Sequence, residues 1–273
     1  MKINPKIVIK RILILLNYYV RFITPYEIKV HKVIQIDPLN IYKGRKLVFN
    51  KLGYYSVEPM PQETELLNYY QNSYWKIRSE VSPVNRRDLV HFRMILELLP
   101  QNFTNPITIL NFGAGHGGVS HLFWAAGHKV INLDPSLVFS SRDSRWIDCN
   151  NFEAIADKSI DFVYGSHSLE HVSDLGLTFS QLIRVASLDS FHFWEVPNGK
   201  CEGNGPAENM VEPPHNYYFT VKFFSEMYSN IIINKTFHHR VLDEKLHHEN
   251  FVASNDSLGA VIRFLGSNLV KIV

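Results

Sequence analysis

From residue 106 the chain alternates short apolar runs with helix-length segments, and little else in the sequence limits the fold as strongly. "ITILNF", "HKVINLD", "IDFVYGS" and "SFHFWEVPN" read as strands, with "IIINKTF" and "GAVIRFLG" as late ones. "GVSHLFWAAG", "SLEHVSDLGLTFSQLIRVA" and "VKFFSEMYSN" read as helices, the first stopped by Gly127 and the second presenting Leu169, Val172, Leu175, Phe179 and Leu182 as one face. A continuous apolar run such as Ile107, Thr108, Ile109, Leu110 suits a strand buried on both faces. Strands separated by helices imply an α/β fold with a mostly parallel sheet and helices on both faces. Ligands of such sheets sit at the carboxyl ends of the strands, near the point where strand order reverses.

The first strand runs into "NFGAGHGGVS", four glycines within six positions ahead of a helix. Glycine there lets the backbone turn sharply and approach a ligand with no Cβ in the way. Gly113, Gly115 and Gly118 satisfy the dinucleotide pattern G-x-G-x-x-G, while Gly113, Gly115 and Gly117 satisfy the G-x-G-x-G of nucleoside-binding methyltransferases. Asp134 ends the next strand, 21 residues after Gly113, where a carboxylate can accept both ribose hydroxyls of an adenosine. NAD and S-adenosylmethionine would each use it, so the loop and the acid leave that choice open.

Residues 1–100 are expected to form an N-terminal, mainly helical accessory or cap region, and residues 101–273 the domain that carries the glycine loop. Pro25, Pro38, Pro59 and Pro61 divide the first part into short elements. "LGYYSVEPMPQETELLNYYQNSYWKIRSE" reads as a loop entering a helix with Leu66, Leu67, Tyr70 and Tyr74 on one face. "VNRRDLVHFRMILELL" reads as a second helix with Leu89, Phe92, Ile95, Leu96 and Leu99 on its face. Ile9, Ile12, Leu13, Leu16, Val20 and Ile23 repeat at helical spacing among Lys2, Lys6, Lys10, Arg11 and Arg21. That stripe packs on the main domain or on a second subunit, with peripheral membrane contact through residues 1–24 as the alternative. Its longest uncharged apolar run is far short of the roughly 20 residues that span a bilayer.

A net charge of +2 over 273 residues gives no electrostatic footprint for nucleic acid. The two cysteines, Cys149 and Cys201, have no C-x-x-C spacing, which speaks against a disulfide framework or a cysteine zinc site and fits a reducing, cytoplasmic setting.

"ILNFGAGHGG", "VINLDPS", "IDFVYGSHSLEHVSD" and "FHFWEVPN", in that order over residues 106–265, resemble the class I S-adenosylmethionine-dependent methyltransferases. The resemblance implies a Rossmann-like, mostly parallel seven-stranded sheet and S-adenosylmethionine as methyl donor, with S-adenosylhomocysteine as product. Gly113, Ala114 and Gly115 would face the methionine part and ribose of the cofactor, and Asp134, followed by Pro135, would hold the ribose diol. Asp148 would receive the adenine amino group, and Cys149 would offer its backbone N–H to the ring. Ser166 and His167 would line the methyl-transfer side. Asn111 stands where the family usually has Asp or Glu; it keeps an acceptor for the loop and the cofactor's amino group but loses the charge.

An alcohol acceptor needs a general base, or a metal that lowers its pKa; an amine needs less. His167, Glu170 and His171 form H-x-x-E-H, which on a helix shares one face and is similar to the E-x-x-E-H of ubiquinone-pathway O-methyltransferases. The reading adopted is without metal and takes His167 and His171 as catalytic candidates, with a divalent ion there as an option and with Glu170 and His171 packing beneath the site as the bland alternative. His215 in "EPPHNYYFTVKFF" is a second base candidate, beside the bland alternative of a loop histidine. His238, His239, His247 and His248 read as solvated. The long Gly/Pro-rich loop "PNGKCEGNGPAENMVEPPHN" and the aromatic "YYQNSYW" would build the acceptor pocket, and many ring faces suit a sugar. The combination resembles bacterial enzymes that decorate surface glycans. The expectation is therefore O-methylation of a sugar or similar small metabolite. The alternatives are a small-molecule N-methyltransferase, an inactive methyltransferase-like binding subunit, and an NAD-dependent oxidoreductase.

Overall fold

The computed structural model describes residues 27–29, 32–33, 41–74, 84, 86–98, 104–136, 145–199, 210–211, 214–227, 231–237 and 257–263. The strands are β1 (Glu27–Lys29), β2 (Lys32–Val33), β3 (Lys46–Asn50), β4 (Tyr54–Glu58), β5 (Thr108–Phe112), β6 (Lys129–Leu133), β7 (Ile147–Cys149), β8 (Ile160–Ser166), β9 (Ala186–Pro197), β10 (Met210–Val211), β11 (Tyr217–Phe219), β12 (Ile231–Phe237) and β13 (Ser257–Arg263). The α-helices are α1 (Glu63–Tyr69), α2 (Arg86–Leu98), α3 (Gly118–Ala125), α4 (Leu175–Val185) and α5 (Val221–Met227). The predicted stripe of residues 1–24, Cys201, most of the Gly/Pro-rich loop and the histidines at 238, 239, 247 and 248 lie outside the described residues.

The main sheet has the order β12-β13-β9-β8-β5-β6-β7. Strands β9, β8, β5, β6 and β7 are parallel, and β13 and β12 continue the sheet antiparallel. The chain builds outward from β5 through β6 to β7, then returns to place β8 on the other side of β5. Order reverses between β5 and β8, where Phe112 pairs with Gly165. The loops that leave these two strands therefore face one crevice, the position where such sheets bind ligands.

Strand periodicity divides the core. Leu110, Phe112, Leu133, Val163, Trp194 and Val196 pack against α4 and α5 through Phe179, Leu182, Phe223 and Phe224. Ile109, Val130, Phe162, Tyr164 and Phe193 pack on the other face against Ile95 and Phe123 of α2 and α3. Each such side chain contributes about 1.5–3 kcal/mol on burial, so the two faces fix the register firmly.

Two helices depart from the sequence expectation. In α2, Ile95 is buried as expected and Phe92 packs beside it, but Leu89 is half exposed at 51%, while Asp88 and His91, outside the expected face, are buried. The inward face is turned so that His91 meets Tyr164 and Phe193. The predicted single helix over "SLEHVSDLGLTFSQLIRVA" is a 3-10 turn at Leu169–His171 followed by a separate α4. Val172 is extended, and the Asp174 carboxylate accepts from the Leu177 N–H to start α4 afresh.

Strands β1, β3 and β4 form a second sheet with β11, ordered β1-β3-β4-β11. "YYSVE", read as loop, is strand β4. Tyr217, Tyr218 and Phe219 leave the main domain to pair antiparallel with β4. The Tyr42 hydroxyl donates to Asn216 Oδ1 at 2.8 Å. Through these bonds the aromatic layer of Tyr42, Phe49, Tyr55, Tyr69 and Tyr218 lies against the segment that carries His215.

Candidate active site

The glycine loop is a tight turn tied to its neighbouring strand. Gly113 and Ala114 N–H groups both donate to the Leu133 carbonyl, at 2.8 and 3.2 Å. Gly113 has φ +68°, and a Cβ there would lie 2.2 Å from Ser168 Cβ. Both the backbone conformation and the space therefore exclude a side chain at this position. Asp134 folds toward the loop: its Oδ2 accepts from Gly115 N–H at 2.9 Å, and its Oδ1 accepts from the Ser136 N–H and hydroxyl at 3.0 and 2.6 Å. An ionisable acceptor thus stands beside a backbone cradle at the carboxyl end of β6, the pairing that a nucleoside sugar requires. Pro135 is exposed in the same turn.

Asn111 lies beneath the loop. Its amide donates to Ser120 Oγ at 2.9 Å, Ser120 donates to Asn132 Oδ1 at 2.6 Å, and Asn132 Nδ2 donates to Asp148 Oδ1 at 2.9 Å. A neutral amide suits this chain, because Asn111 is only 3% exposed and a carboxylate there would carry the cost of burying a charge. Cys149 is buried, its thiol donates to the Asn132 carbonyl, and burial followed by the nearby Asp148 pushes it up to about 11.

At the end of β8 stands a cluster of carboxylates and imidazoles. Ser166 Oγ donates to Glu195 Oε2 at 2.7 Å, and the His167 N–H donates to the Glu195 carbonyl at 2.9 Å. His167 takes a left-handed φ of +49° that swings its ring between two fully buried carboxylates. Its Nε2 lies 3.6 Å from Glu195 Oε1 and its Nδ1 3.4 Å from Glu170 Oε1. Burial alone would depress His167, but Glu195 and Glu170 outweigh it and raise it to about 9. Behind them, His91 Nε2 lies 3.1 Å from Glu195 Oε2, and His91 Nδ1 lies 2.8 Å from the Tyr164 hydroxyl. Burial holds His91 down to about 4 even with that carboxylate beside it, so it is neutral near pH 7.

Glu170 Oε1 also faces His171 Nε2 at 3.7 Å and His215 Nε2 at 3.9 Å. Burial opposes its ionisation, yet His171, His167 and His215 together bring it down to about 2. Asn216 clamps the two segments: its N–H donates to the Glu170 carbonyl at 2.7 Å, and its amide donates to the His171 and Val172 carbonyls, both at 3.0 Å. The sequence expected His167, Glu170 and His171 to share a helix face. They meet instead through a 3-10 turn and a left-handed residue, with His215 delivered from 44 positions beyond His171.

Tyr70 and Tyr74, which follow α1, lie beside this end of the sheet. Tyr70 and Tyr74 rings stand 6.1 and 6.3 Å from the His171 ring. The Tyr70 hydroxyl is buried with no hydrogen-bond partner among the described residues. Burial first, then Tyr42, Tyr74, Glu170 and Asp134, drives the Tyr70 phenol well above its usual range. The same phenol therefore senses the acid of the glycine loop and the carboxylate of the imidazole cluster.

Sequence reasoning missed Glu195, His91 and Asn216. A signal existed for Glu195, since a carboxylate inside the apolar run "FHFWEVP" is costly unless partnered. No local pattern marks His91 or Asn216.

A loop-bearing crevice at the switch point, with an acid on the neighbouring strand, is the arrangement of the Rossmann-like, class I methyltransferases. A family model for a methyltransferase domain matches residues 84–230, more than half of the chain. The chain belongs to that family and is an S-adenosylmethionine-dependent methyltransferase. No curated protein sequence matches it.

Among solved structures it is similar to the 1,6-didemethyltoxoflavin-N1-methyltransferase of Burkholderia thailandensis, with bound 1,6-didemethyltoxoflavin and S-adenosylhomocysteine: 14% identity, TM-score 0.52, covering 86% of this chain and 99% of that one. It is also similar to a SAM-dependent methyltransferase of Aquifex aeolicus, at 14% identity and TM-score 0.46, covering 70% of this chain and 97% of that one. A methyltransferase of Anabaena variabilis from an antibiotic biosynthesis pathway is 25% identical with TM-score 0.37; the match covers 41% of this chain and 47% of that one. Among the described residues no helix is long and apolar enough to cross a membrane.

Proposed function

We propose that this methyltransferase acts on a hydroxyl of a small, sugar-like acceptor seated between the Tyr70 and Tyr74 rings and the histidine cluster, with the accessory region as its cap. The observation that carries the reading is the fully buried Glu170 facing three imidazoles, His167, His171 and His215, at the end of β8. An amine acceptor has less need of such a set, because it can present an unprotonated lone pair.

S-adenosylmethionine supplies a methyl group on a sulfonium, activated for in-line displacement. Gly113, Ala114, Gly115 and Asp134 would hold its methionine part and ribose, with Asp148 and Cys149 toward the base. Ser168 packs against Gly113, so the strand-end turn that carries His167 is held against the loop. His215 takes the proton of the acceptor hydroxyl, and Glu170 stabilises the imidazolium that results. Tyr70, with its hydroxyl turned inward, orients the acceptor, and the aromatic faces hold the apolar side of a sugar ring.

The experiment is methyl transfer from labelled S-adenosylmethionine to a panel of sugars, nucleotide sugars and small amines. A hydroxyl acceptor should be methylated, and His215→Ala should lower turnover about 10²–10⁴-fold with cofactor affinity intact. Turnover confined to amines, indifferent to His215→Ala, would sink the reading.

A further inference from the structure

We propose that Glu170, His171 and His215 form a binding site for one first-row divalent transition-metal ion. Among the described residues these three offer ligand atoms that all lie within 4.8 Å of one another. Bonds of about 2.1 Å place the donor atoms of a metal site about 3.0–3.4 Å apart, so the triad closes on an ion with shifts of less than about 1 Å per side chain.

Two independent observations point to a cation there. Glu170 is fully buried, and among the described residues neither of its carboxylate oxygens makes a hydrogen bond. The imidazoles of His167, His171 and His215, at 3.4, 3.7 and 3.9 Å from Oε1, are what compensate its charge, and a metal cation can take the place of the protons on His171 and His215. The second is the tautomer of His171. Its Nδ1 lies 3.2 Å from the Pro214 carbonyl, which can only accept, so Nδ1 carries the hydrogen. The Nε2 lone pair then points toward Glu170 Oε1, 3.7 Å away. When His171 is neutral, Nε2 presents a lone pair to the carboxylate, and a metal cation between them replaces the proton that Nε2 would otherwise hold. An Nδ1–H held by a backbone carbonyl is also how protein structures orient a metal-ligating imidazole.

The donor set selects the ion. Two imidazole nitrogens and one carboxylate oxygen suit Zn²⁺, Mn²⁺, Fe²⁺, Co²⁺ or Ni²⁺, whereas Mg²⁺ and Ca²⁺ prefer oxygen alone. His171 and His215 side chains are 14% and 12% exposed, so the site is reached from the cleft side beneath Tyr70 and Tyr74. Three protein ligands leave coordination positions open, and an acceptor oxygen is the ligand class that fits them. In that role His215 holds the ion rather than the proton. The cation site is thus an alternative to the proton-transfer role given to His215 above, and a chain that holds no ion at these three residues leaves that role in place.

The test uses the full chain, stripped with a chelator and titrated with Co²⁺ and Zn²⁺ by calorimetry and visible absorption, with S-adenosylhomocysteine affinity measured on the same samples. The expected result is one Co²⁺ per chain with a ligand-field spectrum. His171→Gln and His215→Gln should each weaken it at least tenfold while S-adenosylhomocysteine still binds. Glu170→Gln should do the same if it folds; the two histidine variants decide the matter if it does not. Replacing His238, His239, His247 and His248 together by Gln should leave the binding unchanged. Wild-type chain that binds S-adenosylhomocysteine but holds Co²⁺ and Zn²⁺ no more tightly than the His171→Gln, His215→Gln double variant overturns the site. Metal binding that disappears when His238, His239, His247 and His248 are replaced overturns it equally. Metal binding without any S-adenosylhomocysteine binding keeps the site and counts against the cofactor assignment instead.

Discussion

Ser168 occupies the space that a side chain at Gly113 would need: a Cβ on Gly113 would sit 2.2 Å from Ser168 Cβ. The turn after β5 and the turn after β8 are thus in direct contact, which couples the glycine loop to the histidine cluster.

Gly113→Ala should therefore disturb both turns. The substitution adds a side chain at φ +68° and pushes on a neighbouring Cβ that belongs to a short, clamped turn. Overpacking of this kind costs about 1–3 kcal/mol. Urea unfolding should show that loss, and S-adenosylhomocysteine affinity should fall at least tenfold. A variant with native stability and native affinity would mean that the contact has no part in cofactor binding.

Asp134→Ala removes the carboxylate that accepts from the Gly115 N–H. The carboxylate's hydrogen bonds to a ribose diol are charge-assisted and worth about 1.5–3 kcal/mol, so affinity for S-adenosylhomocysteine should drop about 10–100-fold. Calorimetry reads this directly, and an unchanged dissociation constant would take Asp134 out of the site.

Tyr70→Phe deletes a hydroxyl that has no hydrogen-bond partner among the described residues. Stability should stay the same or rise slightly, since a buried unsatisfied polar atom is lost. Affinity for S-adenosylhomocysteine should hold while kcat/KM for the acceptor falls about tenfold, the worth of one hydrogen bond. A fall in stability with full activity would make Tyr70 a packing residue.

Acid should weaken the fold above the range where carboxylates titrate. Burial holds His192 down to about 3, and His91 to about 4, so both are neutral in the native state. In the unfolded chain they take up protons below about pH 6.5. Their contribution to stability is complete above that pH and is lost as pH falls toward the folded values, at up to about 1.4 kcal/mol per pH unit for each. Between pH 6.5 and 5 the urea midpoint should fall, and His192→Gln should make that slope shallower. An identical slope in the variant would show that His192 is protonated in the native state.

Much of this architecture is legible in one dimension. Strand and helix identity follow from apolar period, and the main sheet places "ITILNF", "HKVINLD", "IDFVYGS" and "SFHFWEVPN" as parallel neighbours around the switch point. The glycine spacing fixes a turn that needs positive φ at Gly113, Gly115 and Gly117, and the acid at Asp134 lands beside it because both stand at adjacent strand ends. These are local properties: a side chain's period, a residue's allowed φ, a position at the end of a strand.

The histidine cluster was decided only by the tertiary structure. His91, His167, Glu170, Glu195 and His215 come from α2, the β8 turn, β9 and the segment before β11, and no period links them. His91 reaches Glu195 because α2 buries Asp88 and His91 along with the expected Ile95 and leaves Leu89 half exposed. His215 reaches Glu170 because β11 adds to β4 and Asn216 bonds three backbone groups of the 3-10 turn. Sequence encodes which side chains are apolar and where the backbone turns; the meeting of polar side chains depends on hydrogen bonds and pairings between segments far apart in the chain, which exist only once the sheet has formed.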